Sequence, residues 1–177
     1  MRLFDLENGL RRLRALRHNS TRGVDWPALK LLLGVDLPTD YKEFADAYPA
    51  LEIGGFLRVW SPACGREEEF IEGVHYELEI LRELQEDDAA EGCLAYPEHG
   101  GLLPWGGSVE GDVFYWRTSH GNPDHWPVVA GGRDGSWWEC EAGVLGFLVG
   151  MIDGTADRGE LAAGILGPDS PVVTLGS

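Results

Sequence analysis

Residues 102–139, LLPWGGSVEGDVFYWRTSHGNPDHWPVVAGGRDGSWWE, contain five of the chain's seven tryptophans. Short apolar runs alternate there with clusters of Gly, Pro, Asn and Asp, a pattern typical of antiparallel strands joined by tight turns. Glycine in such turns supplies the positive φ that other residues avoid. The pattern predicts a meander of four strands, at 101–105, 112–117, 126–130 and 136–139.

Apolar residues at helical spacing on both sides of this meander predict helices that can pack on the sheet. Leucines at steps of three and four from Leu3 to Leu16 predict one N-terminal helix, and Asp25 is predicted to cap a second helix that ends near Gly34. Further elements are predicted at 37–48 (helix), 53–60 (strand), 66–91 (acidic amphipathic helix), 142–153 (helix) and 160–163 (short helical piece). We therefore expect an α+β fold, with a central, mostly antiparallel sheet and helices packed against it.

The length of 177 residues fits one domain of ordinary size. Residues 1–24 are predicted to form a basic helix and a polar link, residues 25–153 the main domain, and residues 154–177 a tail packed on that domain. We find no run of 18 apolar residues and no signal-peptide pattern, which predicts a cytoplasmic protein without a membrane partner. Three cysteines, an odd number at long spacings, indicate reduced thiols rather than a disulfide framework.

The formal net charge of −16 is unevenly distributed along the chain. Residues 1–30 hold seven Lys or Arg and three acids, whereas the remaining residues hold seven and 27. This acidic body argues against a nucleic-acid partner, because phosphate binding needs a basic face. It could steer a basic protein into contact, or it could only keep the chain soluble.

The densest acidic segment lies in the predicted helix at 66–91, which has eleven acids and two arginines. Its outer face, including Glu68, Glu72 and Glu79, is either a docking surface for a basic partner or a solvated helix face.

Catalytic and metal-binding patterns are weak in this sequence. A cysteine nucleophile with a histidine base would need a local signature, and none links the candidates, which are Cys64, Cys93, Cys140, His75, His99, His120 and His125. His120, Asp124 and His125 could in principle ligate a metal, but the Gly-Asn-Pro turn between them explains the polarity equally well. We therefore predict no catalytic residues, no metal and no cofactor.

The tryptophans are candidates either for the core or for an interface. Trp105 and Trp116 are predicted to pack in the core, since alternate strand residues face the covering helices. Trp137 and Trp138 are adjacent, so in a strand they must point to opposite faces. One of them is a candidate interface anchor, and the sequence leaves open which one, or whether the tail covers it.

Four motifs occur in an order that resembles the SUKH superfamily, which includes fungal cell-wall assembly regulators and bacterial immunity proteins. They are LPTDYKEF at 37–44, the strand leading into Ser61-Pro62, LLPWGGSVEGDVFYW at 102–116 and PDHWPVV at 123–129. With the closing apolar helix, the resemblance covers residues 25–153. The chain departs from the commoner pattern at Tyr48-Pro49-Ala50, where many members have an Asn-Gly turn, and its tail has no clear counterpart.

This resemblance implies an α+β fold and, for bacterial members, non-catalytic neutralisation of a toxin. It places Leu37, Pro38 and Tyr41 at the start of a signature helix. It also implies a central hairpin that contains Trp105, Gly111, Asp112 and Trp116.

Together, these observations predict a protein-binding module, an immunity protein that occludes the active surface of a basic toxin, which could be a nuclease. The alternatives are a regulatory scaffold that binds an endogenous partner and a small hydrolase with an unrecognised site. The predicted partner-binding residues are Glu68, Glu72, Glu79, Asp112, Asp124, Asp134, Trp137 and Trp138.

Overall fold

The computed structural model describes residues 1–119, 121–156 and 166–175. Within these ranges the chain forms five α-helices and one seven-stranded sheet, which confirms the α+β class. The helices are α1 (Leu3–Gly9), α2 (Trp26–Leu33), α3 (Thr39–Ala47), α4 (Glu67–Glu86) and α5 (Val144–Asp153). The strands are β1 (Leu51–Ile53), β2 (Leu57–Val59), β3 (Leu102–Ser108), β4 (Val113–Arg117), β5 (Val128–Gly131), β6 (Trp137–Cys140) and β7 (Val172–Thr174).

The sheet is an antiparallel meander in the order β6-β5-β4-β3-β2-β1, and β7 is added at the outer side of β1. The four strands predicted in the tryptophan-rich stretch are confirmed as β3 to β6, with small shifts at their ends. Four predicted helices are confirmed as α2 to α5. They are the helix capped by Asp25 and those predicted at 37–48, 66–91 and 142–153. Asp25 caps α2 through Ala28 N at 2.9 Å, and Gly34 ends it with a φ of 76°.

Consecutive residues of β4 show how the helices cover the two faces of the sheet. The ring of Trp116 lies 4.9 Å from that of Tyr41 in α3, measured between centroids. Tyr115 instead interacts with Glu77 of α4. Because neighbouring strand residues point to opposite faces, α3 covers one face and α4 covers the other.

A bulge between β3 and β4 places Trp105 in the centre of the core. The register shifts between Pro104 and Gly106, so that Trp105 is an extra residue in its strand. Its side chain is 0% exposed, and its ring centroid lies 6.1 Å from that of Trp116 and 5.7 Å from that of Phe147 in α5. The predicted core role of Trp105 and Trp116 is confirmed.

The predicted strand at 53–60 is wrong in one respect, since it is a tight hairpin rather than a single strand. Gly54 and Gly55 have φ values of 69° and 67°, and these two left-handed residues reverse the chain between β1 and β2. Two consecutive left-handed positions suit a tight hairpin turn and strongly favour glycine.

The single N-terminal helix predicted from the leucine spacing is also wrong. Helix α1 ends at Gly9, Leu10 is extended with a φ of −119°, and a 3-10 turn follows at Leu13–Leu16. Leu6, Leu10 and Leu13 are nevertheless fully buried. The spacing therefore identified the buried side chains, while the backbone that carries them does not form one continuous helix.

The C-terminal tail adds a strand that the sequence pattern did not predict. β7 pairs with β1, and this pairing continues through bonds from Gly54 N to the Pro171 carbonyl at 2.7 Å and from Leu175 N to the Ala50 carbonyl at 2.8 Å. Leu166 is buried in the core. The helical piece predicted at 160–163 lies outside the described residues.

Glu7 joins the N-terminal segment to the domain through buried polar contacts. Its carboxylate is 8% exposed and accepts hydrogen bonds from the Tyr48 hydroxyl at 2.8 Å, from Arg17, and from Arg14 at 3.4 Å. Burial alone would raise the pKa of Glu7, but the hydrogen bonds from Tyr48 and Arg17 outweigh it, so that the pKa lies below the ordinary value of 4.5.

This lowered pKa predicts acid-sensitive stability. The stabilisation by Glu7 is present above the ordinary glutamate pKa and is lost as the pH falls through the lowered pKa of the folded state. Glu7→Gln should therefore cost about 1–3 kcal/mol at pH 7, and much less near pH 3. Urea unfolding of both proteins at pH 7, 5 and 3 measures this difference. A difference that does not change with pH would contradict the proposed role of the ionised carboxylate.

Candidate functional surface

The outer surface of α4 carries a row of carboxylates, which we call the acidic stripe: Glu68, Glu72, Glu79 and Glu86. Steps of four and seven residues place them on one side of the helix. All four are exposed, and none forms a side-chain hydrogen bond or ion pair within the described ranges. Among the described residues, the stripe is therefore a negative surface without ion pairs.

The opposite side of α4 holds the helix firmly in the fold. Ile71, Val74, Leu78 and Leu81 are buried in the core. At the first turn, the Glu67 carboxylate accepts a hydrogen bond from Asp25 N at 3.0 Å, which ties α4 to the start of α2. The predicted amphipathic helix is confirmed, and its acidic face is presented on a rigid element.

One flank of α4 borders a cavity of about 430 Å³, which we call the α4–β2 cleft. The cleft is lined by Arg58, Trp60, Glu69, Phe70, Gly73, Val74, Tyr76 and Glu77. A second depression of about 310 Å³ shares Trp60, Glu69 and Phe70 with it and extends towards Arg22 and Leu175. The two depressions therefore adjoin each other along α4.

Glu77 lies in this cleft as a half-buried carboxylate. Burial raises its pKa above the ordinary value. Arg58, which also lines the cleft, donates to Glu52 at 3.0 Å and is therefore engaged elsewhere. Among the described residues, Glu77 has no hydrogen-bond donor and no cation partner.

Trp137 and Trp138 point to opposite faces of the edge strand β6. The ring of Trp138 lies 5.7 Å from that of Phe147, on the α5 side, and the ring of Trp137 lies 6.0 Å from that of Tyr115, on the α4 side. Trp137 also covers Gly131, where an added Cβ would lie 2.7 Å from its ring. Both are half-buried, so each combines a packing role with a partly accessible surface.

The three predicted binding aspartates bond within turns and at a helix end. Asp112 is buried and accepts from Ser108 Oγ at 2.5 Å and from Arg133 N at 3.2 Å, which links the turn after β3 to the turn after β5. These contacts give it a structural role between the two turns.

Asp124 and Asp134 are exposed, but local hydrogen bonds also hold them. Asp124 accepts from Thr39 N at 2.6 Å, and this bond caps α3 and lowers the pKa of the carboxyl. Asp134 accepts from Ser136 Oγ at 2.7 Å, which lowers its pKa as well. Asp124 therefore belongs to the α3 side of the sheet, away from the acidic stripe.

The cysteines were considered as candidate nucleophiles. None of the three lies in a disulfide, and burial raises the pKa of Cys93, which disfavours the thiolate that a nucleophile needs. In the part of the chain that the structure describes, no group of three His, Cys, Asp or Glu side chains could hold a metal ion. His120, one of the three residues considered as metal ligands, lies outside that part.

The cleft residues Trp60, Phe70, Tyr76 and Glu77 were not predicted as functional. The sequence places Trp60 at the end of the predicted strand at 53–60, and the other three within the predicted helix at 66–91. The sequence did contain one indication of this cleft. Gly73 lies within the helical pattern, where glycine weakens a helix by about 1 kcal/mol. Such a glycine marks a position where the helix surface leaves open space or allows close approach.

Comparisons with known proteins do not identify the chain. No protein family matches it, and neither a curated protein nor a solved structure is significantly similar to it. Within the described ranges, every helix is too short or too polar to cross a lipid bilayer. The function of the chain must therefore be inferred from the surface of α4 and from the sequence motifs.

Proposed function

We propose that this chain is a non-catalytic protein-binding module, an immunity protein that neutralises a basic toxin domain in the cytoplasm by covering its active surface. The acidic stripe beside an aromatic-lined cleft is the observation that carries this proposal. A rigid helix presents the carboxylates, and the cleft offers apolar area, so that charge steers the encounter and rings anchor the complex.

Charge complementarity supports a basic partner. The chain has a net charge of −16, and four of its carboxylates lie on one helix face without ion pairs among the described residues. A nuclease toxin must be basic where it holds nucleic acid, so an acidic inhibitor can compete for that same face. The proposed mechanism of neutralisation is therefore occlusion of the toxin's substrate-binding surface rather than an effect at a distance.

The resemblance to the SUKH superfamily supports the immunity role specifically. The motifs around Leu37-Pro38, Ser61-Pro62 and Trp105 occur in the order expected for that family, and the α+β class agrees with the fold that it implies. Three free cysteines are compatible with a reducing compartment.

Co-expression with toxin-domain genes from the same genomic neighbourhood tests this function. We expect the chain to restore growth and to form a stoichiometric complex with one toxin domain, as measured by size-exclusion chromatography with light scattering. The toxin's activity in vitro should fall to zero at equimolar inhibitor. Capture of an endogenous protein, with no protection from any neighbouring toxin, would instead favour the regulatory scaffold.

A further inference from the structure

The negative charge of Glu77 is balanced neither by a cation nor by hydrogen-bond donors among the described residues. A half-buried carboxylate loses hydration, and this loss is offset only when a cation or hydrogen-bond donors replace the water. The described residues supply neither a hydrogen bond nor an ion pair to Glu77, and Arg58, which lines the same cleft, is already paired with Glu52. Such a carboxylate would be stabilised by a cationic group that another molecule supplies.

The walls of the α4–β2 cleft suit the rest of a basic side chain. Trp60 and Phe70 are half-buried, and Tyr76 is 63% exposed although it lies beside the apolar floor of the cleft. Aromatic faces attract ammonium and guanidinium groups and also pack against their aliphatic stems. Aromatic rings around one carboxylate therefore match both parts of a lysine or arginine side chain.

Gly73 keeps this cleft open. It lies within α4, one turn before Glu77, and an added Cβ would meet no atom within 4 Å. A larger side chain at this position would fit the helix better and would enter the cleft. The glycine thus leaves room for an external group at a cost in helix stability.

We propose that the α4–β2 cleft receives one basic side chain of the protein partner. The cation lies against Glu77, and the stem packs on Trp60, Phe70 and Tyr76. The acidic stripe then attracts the partner, and this cleft fixes its position. The proposal rests on the protein-binding function, but it can be tested with peptides alone, so that its failure is distinguishable from a failure of that function.

Two matched peptide pairs test the proposed pocket. The first pair is acetyl-Gly-Arg-Gly-amide and its citrulline counterpart, and the second is acetyl-Gly-Lys-Gly-amide and its Nε-acetyl-lysine counterpart. NMR titrations should shift the Trp60 indole and the Tyr76 ring, and in at least one pair the charged peptide should bind about tenfold more tightly than the neutral one. Equal binding within both pairs would overturn the proposal.

Glu77→Gln is the decisive variant, because it removes the charge and keeps the shape. It should abolish the preference for the charged peptide, whereas Glu43→Gln, an exposed glutamate on α3 at the opposite face, should preserve it. If the preference survives in Glu77→Gln, the cation binds elsewhere and the proposal is wrong.

A stability measurement checks that the variant is folded and that the carboxylate is unpaired. Because burial raises the pKa of Glu77, its contribution to stability is lost as the pH rises through that pKa. The titratable groups facing it are Tyr115 of β4 and the cleft residues Arg58, Glu69 and Tyr76. Glu77→Gln should therefore raise the unfolding temperature at pH 7 by on the order of 2–4 °C, with no gain at pH 4. A lower unfolding temperature at pH 7 would show that the carboxylate is already compensated.

Discussion

Reversing Glu68, Glu72 and Glu79 to lysine should slow association with the toxin domain by about ten- to a hundredfold and flatten its salt dependence. These carboxylates lie on the outer side of α4, where they are exposed and unpaired within the described ranges. They act on the approach of the partner, so that the dissociation rate should change little. Surface-binding kinetics at two salt concentrations measures both rates.

A matched triple reversal at other exposed glutamates separates the stripe from net charge. Glu43, Glu98 and Glu141 are exposed and lie outside α4. Changing them to lysine alters the total charge by the same amount and should slow association much less. If the two triple variants behave alike, only the overall charge matters and the stripe is a solvated helix face.

Truncating Trp105 to alanine should destabilise the protein by about 3–5 kcal/mol, a large part of the 5–15 kcal/mol typical of a folded domain. The side chain is fully buried between β4 and α5, and three other aromatic rings, those of Phe114, Trp116 and Phe147, pack against it. Its indole N–H has no hydrogen-bond acceptor among the residues that the structure describes, so the loss comes from packing and from the cavity that remains. Urea unfolding followed by circular dichroism gives the difference.

Trp137→Ala provides the control for this substitution. Trp137 is half-buried on β6, a strand at the edge of the sheet. Its truncation leaves a site that opens to solvent rather than an enclosed cavity. Its loss should cost clearly less than the loss of Trp105. Equal costs would mean that the bulge at Trp105 can collapse around the missing ring.

Local patterns predicted most of the elements. The strands β3 to β6 follow from apolar runs between turn residues, and the cap of α2 follows from Asp25 and Pro27. These features depend on neighbours within a few residues, and such short-range preferences are visible in the order of amino acids. The acidic stripe belongs to the same class, because the helical period alone places Glu68, Glu72 and Glu79 on one side.

The wrong predictions involve elements whose ends depend on distant contacts. Leucine spacing gave the buried residues of the N-terminal segment, but α1, which packs against α3 and α5, ends at Gly9. β7 exists because β1 offers unpaired backbone groups, and three residues of strand carry too little pattern to be identified alone. Asp112 resembled a surface acid until the fold placed Ser108 and Arg133 around it.

The fold class, the tryptophan-rich meander and the acidic face of α4 could be predicted from periodicity and composition. The three-dimensional fold was needed to show that Trp137 packs on Tyr115 and Trp138 on Phe147, and that Trp60, just after β2, and Glu77 of α4 line one cleft. The charge of Glu77 was visible in the chain, but its burial and its missing partner were not. Those properties depend on which side chains and cations the fold brings within a few ångströms, and no local pattern records that.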